Sequence, residues 1–131
     1  MTIKPSDTIQ NNDDIQMFEI PGIKHRTLAG PEHGVSGYEV WEQWIEPHQA
    51  TPLHRHDCEE VITVFSGKGE VVLDGERVNF SPNTTLRVPA NAVHQVNNIG
   101  DEVMHLVATL GMSPVIPQDA DGNVFALPWQ Q

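Results

Sequence analysis

The chain has 131 residues, enough for one domain around one hydrophobic core. Its formal net charge of −11 argues against nucleic acid and anionic membranes as partners, because such a surface repels both. An acidic small molecule meets the same repulsion unless a local cation reverses the field. Ten Gly and ten Pro, spread along the chain, favour many short elements over a few long helices. Cys58 is the only cysteine, so no intrachain disulfide forms, which fits a reducing compartment. Met1 to Gln16 holds no apolar run of signal-peptide length, and no stretch approaches the ~20 apolar residues of a membrane span. The expectation is a soluble, cytoplasmic protein.

In chain order, residues 1–16 are polar, rich in Asn and Asp, and read as a flexible N-terminal arm, with residues 17–131 as a single domain. Tyr38 to Ile45 is aromatic and β-branched and reads as a strand, with Trp41 and Gln43 on one face and Trp44 on the other. Pro47 to Pro52 is a loop. His54 to His56 and Glu60 to Phe65 follow as extended chain, then a turn at Ser66 to Gly69. Gly69 to Leu73 and Arg77 to Phe80 flank Asp74-Gly75, a strong hairpin signal. Leu86 to Val88, Val93 to Asn97 and Val103 to Leu110 complete the strands. No segment sustains helical periodicity, so the fold class is all-β, a sandwich or barrel of jelly-roll type. The tail, Ser113 to Gln131, carries three prolines and is expected to lie as a strap over the barrel.

The stretch His54-Arg55-His56-Asp57-Cys58-Glu59-Glu60 carries most of the chemical information. Residues of one parity share one face of an extended strand, which puts two imidazoles and a carboxylate together. Such groups bind zinc and other divalent ions at about 2.0–2.2 Å. His94, on a neighbouring strand, is a plausible fourth ligand. Inside an apolar barrel this polar cluster is costly unless an ion compensates it. The bland alternative makes His54 and His56 loop residues and Glu60 a surface acid.

The order His54-x-His56-x3-Glu60-x6-Gly67 resembles the first motif of the cupin family, and Asn83-x5-Pro89-x-Asn91-x2-His94-x3-Asn98 resembles the second. Two glycines of the second motif are replaced here by Asn83 and Asn91. Asn is the non-glycine residue best suited to left-handed backbone, so the change is mild. Within the cupins, Glu39-Val40-Trp41, Thr51-Pro52-Leu53-His54-Arg55-His56, Cys58-Glu59-Glu60-Val61, Gly67-Lys68-Gly69, Asn83-Thr84-Thr85 and His94-Gln95-Val96 are similar to the plant auxin-binding protein family. The similarity runs from about Gly22 to Leu110.

That resemblance implies a cupin jelly-roll barrel and one zinc ion held by His54, His56, Glu60 and His94. In the family, the carboxylate of auxin binds the metal and apolar residues grip its ring. The implied ligand-binding residues are Ile20, Ile23, Trp41, Gln43, Thr51, Pro52 and Ile62, with Trp129 in place of the family's C-terminal tryptophan. The resemblance also implies a homodimer. This chain lacks the family's secretory signal, paired terminal cysteines, C-terminal retrieval signal and most of the C-terminal helix region. It reads as a bacterial-type relative whose ligand need not be auxin.

Other residues carry weaker signals. Cys58 has ligand parity, but reads as a buried inert thiol rather than a ligand or nucleophile. Glu59 is expected to point away from Glu60. His105 is a candidate to back a metal ligand or line the pocket, set against the expectation of a plain core or surface histidine. His25, His33 and His48 read as solvated loop residues.

Two functions follow. One is a metal-binding cupin that holds a small, carboxylate-bearing organic ligand on the ion. The other is a metal-dependent enzyme, a dioxygenase, lyase or isomerase acting on a small organic acid. Four protein ligands fill a tetrahedral zinc site, whereas iron, manganese, nickel or cobalt with the same set keeps two further positions. A third reading makes the metal purely structural.

Overall fold

The computed structural model describes residues 4–130 of the chain. Among the described residues, nine strands run in chain order as β1 (Phe18–Ile20), β2 (Ile23–Ala29), β3 (Glu39–Ile45), β4 (Glu60–Ser66), β5 (Gly69–Leu73), β6 (Glu76–Phe80), β7 (Thr84–Val88), β8 (His94–Asn98) and β9 (Met104–Leu110). One sheet has the order β1-β2-β3-β9-β4-β7 and the other β6-β5-β8, all neighbours antiparallel. Helical turns among the described residues are short 3-10 pieces. The two antiparallel sheets form the all-β jelly-roll barrel that the sequence predicts.

The alternation that predicts the strands also builds the core. Even-numbered residues of β4 and β9 point inward, so Glu60, Ile62, Val64, Met104, Leu106, Ala108 and Leu110 are buried while Val61, Phe65 and Thr109 are exposed. Ile45, Val64, Met104 and Leu110 have no exposed surface. The Asp74-Gly75 hairpin forms as predicted, and both residues take positive φ, 48° and 86°, the pairing of a type I′ turn. Asn83 and Asn91 also sit at positive φ, 63° and 65°, the conformation their replacement of glycine requires. Gly67 turns at φ 98°, and a Cβ there would stand 2.8 Å from the Met104 Cα. Only glycine lets β4 turn that close to β9.

One part of the sequence reading needs correction here. Strands β1 and β2 were not expected, because the inward positions of β2 include His25 and Thr27, which blur the apolar alternation. The metal stretch forms two pieces, as the separate readings of His54 to His56 and Glu60 to Phe65 have it. His54 and Arg55 make isolated bridges, to His94 and Gln118, and the chain bends at Asp57 and Cys58 before β4 begins. The alternation of burial nevertheless continues through the bend, with His56, Cys58 and Glu60 buried and Asp57 and Glu59 exposed.

The expected arm lies partly outside the described residues, at positions 1–3. From Lys4 to Gln16 it is mostly exposed, with 3-10 turns at Pro5–Thr8 and Asn12–Asp14. Gln10 Nε2 donates to the Leu28 carbonyl at 2.7 Å and Arg26 Nη1 to the Asn12 carbonyl at 3.0 Å, which lays this segment along β2. The tail does strap the barrel: Gln118 bridges to Arg55 and to Val124, and Val115 and Leu127 are buried.

Candidate metal centre

The centre starts from a backbone pair. His54 and His94 exchange main-chain hydrogen bonds of 3.0 and 2.8 Å, which sets their ring centroids 4.3 Å apart. His56, two residues on, turns the same way, and Glu60 opens β4 with its carboxylate inward. His56 Nε2 lies 3.0 Å and His94 Nε2 3.1 Å from the same oxygen, Glu60 Oε1. One donor atom from each of His54, His56, Glu60 and His94 falls within 4.8 Å of the others. His56, Glu60 and His94 are buried and His54 is half-buried.

The outer nitrogens of the three rings are each held against a main-chain carbonyl. His54 Nδ1 lies 2.6 Å from the Pro52 oxygen, His56 Nδ1 3.1 Å from that of Cys58, and His94 Nδ1 2.8 Å from that of Ala92. A carbonyl only accepts, so each Nδ1 carries the proton. Each Nε2 is then left as a lone pair, and those of His56 and His94 are aimed at the carboxylate. Three lone pairs and an anionic oxygen repel unless a cation or a proton stands among them, and this is the donor set that divalent ions take.

The titration behaviour follows from the same crowding. Burial and the nearby His94 push the His54 imidazole down to about 4. Burial also works against a charged His56, but its contacts with Cys58 and Glu60 outweigh this and raise it to about 10. Burial would raise Glu60, yet the hydrogen bonds and charge of His56 and His94 bring it down to about 2.

The same cavity brings together every ligand-binding residue expected from the sequence: Ile20, Ile23, Trp41, Gln43, Thr51, Pro52, Ile62 and Trp129 line it beside the four donors. Val96 and Leu106 line it too, as do Val115, Pro117, Phe125 and Leu127 of the tail. The tail residues were missed because an irregular strap has no periodicity to read. Glu39 fixes that strap. Its Oε1 accepts from Trp41 Nε1 and its Oε2 from the Val115 N–H, both at 2.9 Å.

His25 is a correction of substance. It is fully buried on β2, not solvated in a loop. Its ring stacks on Trp129 with centroids 3.5 Å apart and meets Trp41 edge-on at 5.2 Å. His33 and His48 are exposed, as expected. His105 lies on the outer face of the larger sheet, stacked on Trp44, with Nε2 donating to Glu42 Oε2 at 2.7 Å. It is not a cavity residue, because its odd parity in β9 turns it away from the core. Cys58 is buried behind His56, its Sγ 3.4 Å from Nδ1, on the side away from the donor atoms.

Comparison with known proteins agrees with the geometry. Residues 2–117 match the family described as "Auxin binding protein". Auxin-binding protein 1 of Arabidopsis thaliana is 36% identical over 105 residues, covering 72% of this chain and 53% of that protein. The polyketide synthase CurC of Streptomyces cyaneus is 33% identical over 97 residues, covering 73% of this chain and 59% of that one. The chain therefore spans little more than half the length of these relatives. The crystal structure of the polyketide cyclase RemF from Streptomyces resistomycificus superposes with a TM-score of 0.70 at 20% identity, covering 92% of this chain and 87% of that one. With the barrel, the His/Glu cluster and the match over residues 2–117 taken together, this chain belongs to the auxin-binding protein family of the cupin superfamily.

Proposed function

We propose that this protein holds a small organic ligand on a divalent metal ion inside the barrel. The observation that supports this best is the common arrangement of the three imidazoles, each Nδ1 on a carbonyl, with His56 and His94 directing Nε2 at Glu60 and all four donor residues within 4.8 Å of one another. Residues His54, His56, Glu60 and His94 hold the ion. Zinc suits three nitrogens and one carboxylate, and iron, manganese, nickel or cobalt accept the same donors with more open positions. When bound, the ion supplies a positive anchor for an oxygen ligand in a chain of net charge −11.

The walls define the rest of the ligand. Ile20, Ile23, Ile62, Trp41 and Trp129 form apolar and aromatic surface, Thr51 and Pro52 form the rim, and Gln43 adds one amide. A flat apolar body bearing a carboxylate fits that lining, and the name of the Arabidopsis relative points the same way. We take the working unit to be a cytoplasmic homodimer, a matter for sedimentation and fractionation.

The alternative is an enzyme, favoured by the likeness to CurC and RemF. Among the described residues that line the cavity, the four donors are the only titratable ones. Acid–base chemistry on a small organic acid would have to run through the ligands themselves, which favours binding. Metal analysis of natively purified protein separates the readings: zinc supports binding, iron or manganese supports a dioxygenase, lyase or isomerase. His56→Ala is expected to lose the metal, and with it affinity for aryl carboxylates in calorimetry. Stoichiometric metal retained in that variant would sink the assignment.

A further inference from the structure

We infer that His25 is a positioning residue for the ligand, holding the Gln43 amide and the Trp129 indole in place from behind the cavity wall. The inference rests on the reading of the cavity as a ligand site. His25 and Gln43 are directly opposed in the β2–β3 ladder, and both side chains point inward. His25 Nδ1 lies 3.0 Å from Gln43 Nε2, and its Nε2 lies 2.8 Å from Thr27 Oγ1. Gln43 and Trp129 line the cavity, whereas His25 stands one layer back. Its ring is nearly parallel to the Trp129 indole, at 9°, and nearly perpendicular to Trp41, at 78°.

A buried polar ring is expensive where an apolar one would fill the same space. Here both nitrogens are engaged and one face is covered by an indole, so each feature of the imidazole is used. Burial keeps the ring neutral, pushing it down to about 3, so one nitrogen donates and the other accepts. One end of the Gln43 amide is therefore occupied by His25, and its other end is the polar group left to the cavity. The consequence is a ligand with two polar points: an oxygen on the metal and a hydrogen-bonding group that meets Gln43. Its flat body lies against the aromatic wall that His25 braces.

The test uses the zinc-loaded full chain and three variants, His25→Phe, His25→Asn and Gln43→Leu. Phe keeps a ring against Trp129 but removes both nitrogens, whereas Asn places an amide where Nδ1 stood. In 15N-resolved NMR the Gln43 side-chain amide is expected to be dispersed and slow to exchange in the parent chain. It should become solvent-like in His25→Phe and be restored in His25→Asn. With indole-3-acetate as probe, Gln43→Leu and His25→Phe should each weaken binding about tenfold, the loss of one ordinary hydrogen bond. The double variant should be no worse than either. Unchanged Gln43 amide signals in His25→Phe, or additive losses in the double variant, would overturn the inference. If the zinc-loaded parent chain binds no aryl carboxylate, the ligand reading falls, and the amide signals still decide whether His25 holds Gln43.

Discussion

An imidazole is defined by what its two nitrogens touch, and this chain uses the residue in contrasting ways. At His54, His56 and His94, a carbonyl takes each Nδ1 and leaves the Nε2 atoms to converge. At His25, two side chains take both nitrogens and burial removes the charge. The second case has a consequence for stability. His25 titrates near 6.5 when unfolded and near 3 in the fold. Between those values the unfolded chain binds a proton that the folded chain refuses, so lowering the pH favours unfolding. The contribution of a neutral His25 is fully present above pH 6.5 and is lost as the pH falls toward 3. At one pKa unit per 1.36 kcal/mol, the loss between pH 7 and pH 5 is about 2 kcal/mol. His54 and His56 also titrate differently in the fold, so the reading is the difference between chains: in urea unfolding the decrement between the two pH values should be smaller by about 2 kcal/mol in His25→Asn than in the parent chain. An equal decrement in both would mean that His25 is not the group responsible.

Elements carry the next level of the argument, and the strap is the least regular of them. Val115 to Trp129 closes the cavity without a sheet ladder of its own, so its position depends on a few contacts. Gln118 exchanges main-chain bonds with Arg55, and Glu39, at the start of β3, accepts from the Val115 N–H on one carboxylate oxygen and from Trp41 Nε1 on the other. Within the tail, Gln130 Nε2 donates to the Val115 carbonyl. Replacing Glu39 by Ala leaves two buried donors without partners, which should cost at least about 2 kcal/mol. The tail should also become a site of early cleavage in limited proteolysis, while the barrel resists. These elements also show what a sequence can and cannot disclose. Strands β3 to β9 were legible because one face is apolar and one polar, and the Asp74-Gly75 turn because only certain residues tolerate its dihedrals. Three of the four candidate metal donors, His54, His56 and Glu60, were legible because parity survives the bend at Asp57 and Cys58, and His94 was legible from the motif around Pro89 to Asn98. Strand β2 was not, since His25 and Thr27 satisfy each other inside the core and mimic a polar loop. The strap itself was expected, but Val115, Pro117, Phe125 and Leu127 as cavity residues were not, because an irregular segment has no periodicity that tells inward from outward.

At the scale of the whole molecule, the candidate metal centre lies across the junction of two sheets. Glu60 belongs to β4 of the six-stranded sheet and His94 to β8 of the three-stranded one, with His54 and His56 on the segment between β3 and β4. An ion held by all four therefore ties the sheets together at one end of the barrel. The core does not depend on it: Ile45, Val64, Met104 and Leu110 are fully buried among apolar neighbours without help from the site. This combination predicts a protein that stays folded without metal but is less stable. An ion present at 1,000 times its dissociation constant adds about 4 kcal/mol, worth on the order of 10 °C in Tm for a chain of this size. EDTA should lower Tm by that amount, and added zinc should restore it. In His94→Ala the sheets lose their shared ligand, so Tm should start lower and no longer respond to EDTA. Complete unfolding by EDTA at room temperature would instead assign the ion a folding role, as in small domains that lack a core of their own. A Tm indifferent to EDTA in a metal-loaded parent chain would mean that the ion does not bridge the sheets.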